Sequence, residues 1–493
     1  MGIEIDRTTF TSSDYRRFFD ALLGNLAVLE DLLATPGFGK GAGSIGAELE
    51  MYIVDRDGSP LHLNQEIREA ARDPQLTLEL NRYNLEYNLT PCALGNSPFV
   101  AIEEEIISKL AYVGKIAETV NGRIVPIGIL PTLRQSDLGT HCVTDRKRYH
   151  ALVKQLLRRS AKFRIDIDGE DPLQLDMADI TLEGANTSFQ VHYRVQPQHF
   201  ADTFNAIQLM TPLAMAVAAN SPTLFGHRLW HETRVPLFKQ SIDTRQVDRY
   251  SWNEPARVNF GQGWVRQGAL ELFTEVVRIY PPLLPVCAPR LPPERDQAPD
   301  QTPSLDELRL HQSTVWLWNR PVYDNVDGGH LRIEMRALPA GPTAVDMAAN
   351  AAFLIGLAEG VRADINHILP ALPFGIAEYN FYRAAKHGLN ARLVWPNHRK
   401  SGYEEQPVCA IVARLLPTAL EGLISIGISP AEGARYLGVI ERRLERRQTG
   451  ATWQLAKLTS LQATMPMEAA LHVMLEEFIR HSQGNLPVSE WPL

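Results

Sequence analysis

The sequence predicts an α+β fold, a sheet flanked by helices with a helical C-terminal region, on three observations. Four distant segments alternate apolar and polar residues at the two-residue period of a strand. Helical apolar spacing fills the stretches between and after them. Their polar faces concentrate Glu, Arg, His and Asn, with no Lys. In SIGAELEMYIVD (44–55), Glu48 and Glu50 oppose Ala47, Leu49 and Met51. LELNRYNLEYNLTP (78–91), the organising strand, sets Arg82, Asn84, Glu86 and Asn88 against Tyr83, Leu85, Tyr87 and Leu89. TSFQVHYRV (187–195) sets Gln190, His192 and Arg194 against Phe189, Val191, Tyr193 and Val195, and HLRIEMRAL (330–338) sets Arg332, Glu334 and Arg336 against Leu331, Ile333 and Met335. A half-exposed strand also alternates, but a solvated face usually carries Thr, Lys, Ser and Gln. Four faces of this other composition point to one shared site.

Composition narrows the class. With 493 residues the chain can bury a large core in one domain or two. A net charge of -8 without a basic block argues against nucleic acid as the partner. MGIEIDRTTF has no basic region followed by an apolar run, and Asp6 does not fit a myristoylation signal. The longest apolar runs, near 209–219 and 348–358, are too short to span a bilayer. Cys92, Cys142, Cys287 and Cys409 lie far apart without a CxxC, against a disulfide scaffold or zinc knuckle. A cytoplasmic protein with small-molecule partners and no membrane is expected, and a homo-oligomer stays open.

Taken in order, 11–33 has helical apolar spacing. The GxGxxG at Gly41, Gly43 and Gly46 precedes a strand instead of following one, so it is not a dinucleotide fingerprint, and Ser44 lacks the strand-to-helix setting of a nucleophile elbow. A helix over 98–121 starts with acidic residues, and 123–133 is a buried strand. HCVTDRKRYH (141–150) reads as a solvated helix start rather than a metal site. A helix over 203–219 closes on Asn220-Ser221-Pro222. Arg228, Arg234, Lys239, Arg245, Arg249 and Arg257 are either surface charges or contacts to an anionic substrate. Helices follow over 348–368, 408–426, 430–447 and 467–481. Because the polar strands straddle most of the chain, 1–400 is expected to form one catalytic domain with a proline-rich loop at 281–303, and 401–493 a helical extension packed on it.

If the four faces converge, Glu48, Glu50, Glu79, Glu86 and Glu334 crowd one cavity. Two carboxylates about 4 Å apart at an effective dielectric near 20 repel by roughly 4 kcal/mol. Such a cluster must bind protons or cations. Carboxylates with one imidazole and no thiolate select Mg²⁺ or Mn²⁺. Arg332 and Arg336 flank Glu334 and can clamp phosphoryl or carboxylate oxygens. The set reads as metal-assisted phosphoryl transfer.

IGAELEMYIVD, ELNRYNLEYNLTP, TSFQVHYRV with the later ANSP, and LRIEMRALP resemble, in order, the motifs of the carboxylate–amine ligase family that includes the second bacterial type of glutamate-cysteine ligase. The resemblance runs from Ser44 to Glu359. It implies a curved, largely antiparallel sheet of the glutamine synthetase-like catalytic type, with ATP, Mg²⁺ and glutamate on its concave face. It implies γ-phosphoryl transfer to a carboxylate, then attack by an amine, with γ-glutamylcysteine the expected product. By motif, Glu48, Glu50, Glu79, Glu86, His192 and Glu334 would hold metal, and Arg336 would bind the phosphoryl group and the tetrahedral intermediate. Glu334, Arg332 and Arg336 form the candidate catalytic set. Asn84, Asn88, Gln190, Asn220 and Arg245 are the candidate substrate contacts, and Lys239 and Arg257 the candidate nucleotide contacts. For His192, a neutral ring hydrogen-bonded within the sheet is the other reading. Arg82 and Asn84 stand where the family's second motif has apolar residues, and the proline-rich insertion and long C-terminus exceed a minimal member. A different amine acceptor, a phosphotransferase and a non-catalytic sensor are the competing functions. A sensor would have lost acidic or arginine residues from the faces, and none is lost.

Overall fold

The alternating segments meet in an eight-stranded sheet in the computed structural model, which describes residues 4–245, 254–288, 302–396 and 403–493. Arg249 and most of the proline-rich 281–303 stretch lie outside the described residues. The strands are Ser44–Val54 (β1), Leu76–Leu78 (β2), Asn84–Asn88 (β3), Cys92–Ala93 (β4), Arg123–Val125 (β5), Phe189–Val195 (β6), Asn319–Asp324 (β7) and His330–Met335 (β8). Their order is β7-β8-β6-β1-β3-β2, with β4 and β5 also on β1, and every pair is antiparallel. The sheet curls. Its apolar face, with Leu49, Met51, Leu85, Phe189, Val191, Leu331, Ile333 and Met335, is fully buried.

The organising stretch is not one strand. β2 and β3 form a hairpin, pairing Leu76 with Tyr87 and Leu78 with Leu85, with residues 79–83 as the connection. Asn81 fixes that turn, its Nδ2 donating to Tyr83 Oη at 2.6 Å and to the Thr181 carbonyl at 2.7 Å. Arg82 therefore leaves the polar face and lies 3.9 Å from Glu66. The predicted strand over 123–133 is likewise shorter, ending at Val125.

Helices cover the sheet. Pro98–Glu118 (α1), Phe200–Ala218 (α2) and Ala344–Arg362 (α3) pack on one another or on the strands, and Val408–Ser425 (α4) and Pro430–Arg446 (α5) lie against α3. α3 is apolar around nearly its whole circumference and is buried accordingly. Its crossing with α4 is close because both helices present glycine. A Cβ on Gly422 would stand 2.1 Å from the Gly356 carbonyl oxygen and 2.4 Å from the Gly360 nitrogen. Arg443 of α5, 1% exposed, pairs with Asp346 of α3 at 2.8 Å and donates to Asn350 Oδ1 at 2.6 Å.

The apolar runs extend further than the sequence reading allowed. α3 and α4 are, by length and composition, long and apolar enough to cross a membrane, but 94% of that window in α3 is buried inside the protein, against 33% in α4. Cys92, Cys142 and Cys409 are free thiols.

Candidate active site

Strand register turns four separate alternations into one polar patch. Glu48 stands opposite Asn88 and Gln190, Glu50 opposite Glu86, and Glu334 opposite His192, so these side chains share a face. Glu79 reaches the same place from the hairpin turn rather than from a strand. Two groups of ligand atoms result. Glu48, His192 and Glu334 contribute one atom each to the first, and Glu50, Glu79 and Glu86 one each to the second. Within each group the atoms lie within 4.8 Å of one another. The second group, with Glu48 of the first, borders a cavity of 380 Å³ whose wall includes Glu48, Glu50, Glu79, Glu86, Gln190 and Arg336, while His192 and Glu334 are not part of that wall.

The two groups differ electrically. Burial pushes the Glu334 carboxyl up, but Arg320 Nε at 2.6 Å and Arg336 Nη1 at 2.5 Å outweigh it and bring it down to about 2. In the second group burial and the neighbouring Glu86 push Glu50 up to about 8. Burial, then Glu86 and Glu50, push Glu79 well above the usual carboxylate range, and burial with Glu48 raises Glu86. Without a cation this group retains protons at neutral pH. His192 Nε2 lies 3.2 Å from Glu48 Oε1, so the imidazole and the carboxylate face each other inside the first group. Oxygen donors with one imidazole, in two compact groups, fit hard divalent cations.

Neighbouring groups hold the ligands in place. Gln190 Nε2 donates to Glu50 Oε1 at 2.7 Å and the Ser188 amide to Oε2 at 2.6 Å. Thr77 Oγ1 and Asn88 Nδ2 each donate to Glu86 Oε1 at 3.0 Å. Arg336 donates to Gln190 Oε1, tying the two groups together.

Other sequence candidates stand outside the cavity wall. Arg332, two residues before Glu334 along β8, pairs with Asp324 at 3.2 Å. Asn84 is 2% exposed opposite Tyr52, its amide without a hydrogen-bond partner among the described residues. Asn220 is fully buried, donating to the Ala340 carbonyl at 2.8 Å and accepting from Gln454 Nε2 at 2.9 Å, which makes it a joint between loop and C-terminal helix. Arg245 pairs with Asp243 at 2.6 Å, and Lys239 donates to Tyr382 Oη at 2.9 Å. Arg257 donates to the Thr314 carbonyl at 3.0 Å and to that of Pro281, and burial pulls its guanidinium down to about 9. Its donors serve the backbone.

The wall also carries residues that strand alternation did not mark. Arg320 comes from β7, opposite Glu334. Glu183, raised to about 7 by burial, comes from a short 3₁₀ turn, and Tyr149 donates from a helix to the Leu78 carbonyl at 2.7 Å.

Residues 44–457 match the sequence model of a family described as glutamate-cysteine ligase family 2. Comparison with curated proteins gives no match. Among solved structures, glutamate–cysteine ligase (gshA) from Francisella tularensis in complex with AMP aligns with a TM-score of 0.52 at 11% identity, over 90% of this chain and 89% of that one. A bifunctional glutathione synthetase from Pasteurella multocida gives 0.47 at 11% identity, over 93% and 54%. The ligase PafA in complex with the prokaryotic ubiquitin-like protein Pup gives 0.37 at 11% identity, over 88% and 72%. At such identity the first of these likenesses speaks for the fold alone. The family match, which spans every strand of the sheet and both ligand groups, carries more: the chain belongs to glutamate-cysteine ligase family 2 and is an ATP-dependent carboxylate–amine ligase.

Proposed function

We propose that this enzyme phosphorylates the γ-carboxylate of glutamate with ATP and joins the acyl phosphate to the amine of cysteine, giving γ-glutamylcysteine. The observation that supports it most is the pair of three-residue groups, one on the cavity wall and the other reaching it through Glu48, linked by Arg336. Mg²⁺ or Mn²⁺ would be held by Glu48, His192 and Glu334 and by Glu50, Glu79 and Glu86, where it supplies positive charge against the phosphates.

In the first step a carboxylate oxygen attacks the γ-phosphorus and ADP leaves. In the second the amine nitrogen attacks the acyl carbon, loses a proton, and the phosphate departs with the oxygen it took. Arg336, whose guanidinium is kept charged by Glu334 and Glu50 despite burial, faces the negative charge of both steps. Gln190 and Glu334 hold it at two points, so it is oriented before substrate arrives. Arg320 shares Glu334 from the other side and adds a second cation to the same wall. Arg332, turned to Asp324, has no part in this scheme.

The test is ADP release from ATP, Mg²⁺ and glutamate, with cysteine, with a panel of other amines, and with none. ADP that depends on cysteine, with a product of γ-glutamylcysteine mass, is the expected result. Another amide mass would replace the acceptor. ADP without any amine would replace the ligase with a phosphotransferase.

A further inference from the structure

The cavity wall is acidic, yet five guanidiniums border it: Arg68, Arg146, Arg148, Arg320 and Arg336. Three have an anion. Arg320 and Arg336 share Glu334, and Arg146 pairs with Glu4 at 2.9 Å. Arg148 has no ion pair or hydrogen bond among the described residues, and unlike the exposed Arg68 it is half-buried. A guanidinium partly withdrawn from water without an anion is costly to hold, so its place on a ligand cavity suggests that a ligand supplies the partner. Its position is fixed. The next residue, Tyr149, donates to the Leu78 carbonyl and pins the start of the helix Lys147–Arg159 to the hairpin that carries Glu79 and Glu86. The DRKR run, which reads as a solvated helix start, instead lends two guanidiniums to the wall.

We infer that Arg148, with Arg146 beside it, is a subsite for the α-carboxylate of an amino-acid substrate. The inference rests on the ligase reading and sharpens it: one of the two joined substrates is an α-amino acid recognised by that group. Arg320 and Arg336 are engaged at Glu334, where phosphoryl charge is handled, which leaves Arg148 for a second, carboxylate anion.

Two substrate pairs differ only in that group: glutamate with 4-aminobutyrate, which keeps the γ-carboxylate and the amine, and cysteine with cysteamine. ADP release is measured for every acid–amine combination with wild type, Arg148→Gln and Arg148→Lys. Wild type is expected to prefer the α-carboxylate member of at least one pair. Arg148→Gln should shrink that preference in kcat/KM by roughly tenfold, as loss of a charge-assisted pair implies. Arg148→Lys should fall between the two, with KM for ATP unchanged. The pair whose preference shrinks names the substrate that is read. Equal losses on both members of each pair, or a raised KM for ATP, would overturn the subsite and leave the ligase standing. A wild type silent with every combination would overturn both.

Discussion

Glu334, 1% exposed, is shared by Arg320 and Arg336, so its charge serves folding as well as the chemistry proposed for it. Glu334→Gln is expected to lower kcat by about 100-fold or more. Because two guanidiniums lose their anion, it should also destabilise the fold by about 3–5 kcal/mol. Wild-type kcat, or an unchanged denaturation midpoint, would contradict this placement. Glu50 gives a pH signature. Its carboxyl is held at about 8 against an ordinary 4.5, so between these values the folded chain keeps a proton that the unfolded chain has lost. The contribution is whole below 4.5 and drains away as pH rises to about 8. The metal-free protein should lose Tm across that window, and Glu50→Gln should flatten the loss. Parallel Tm profiles for the two proteins would refute it. Five of the six candidate ligands stand where alternation marks a face and their residue types mark its chemistry, whereas Glu79 stands in the turn. Arg320 was hidden by Pro321, which weakens a strand reading although β7 tolerates it at the sheet edge. Glu183 sits in a 3₁₀ turn, where no period betrays it.

At the scale of elements, alternation located the strands but ran straight through the turn at 79–83, because a period-two pattern carries no mark where the chain reverses unless Gly or Pro stands there. Asn81 does that work through its side-chain hydrogen bonds. The helices were legible from apolar spacing, but their crossings were not, since contact between α3 and α4 depends on which glycines face each other. That crossing is testable. Gly422→Ala puts a methyl group against the backbone of α3 and is expected to cost about 1–3 kcal/mol. In urea the midpoint should fall with the slope unchanged. An unmoved midpoint would show that the helices can part freely.

On the scale of the whole molecule, the site exists only when strands from Ser44 to Met335 are in register, which is why no single segment revealed it. The sequence reading of 401–493 as an extension packed on the catalytic part remains a proposal, and the Arg443–Asp346 pair, with both side chains 1% exposed or less, is where it can be probed. Arg443→Met leaves Asp346 buried without its cation and should destabilise by about 3–5 kcal/mol. If 401–493 folds apart from the rest, the variant will instead produce two separate unfolding transitions.

The central claim is that this cavity activates a carboxylate by moving a phosphoryl group onto it. Glutamate labelled with ¹⁸O in its γ-carboxylate, turned over with ATP and cysteine, tests it most directly. The account predicts one ¹⁸O in the inorganic phosphate released, carried there when the amine displaces the acyl phosphate. Unlabelled phosphate, or label appearing in AMP, would contradict it.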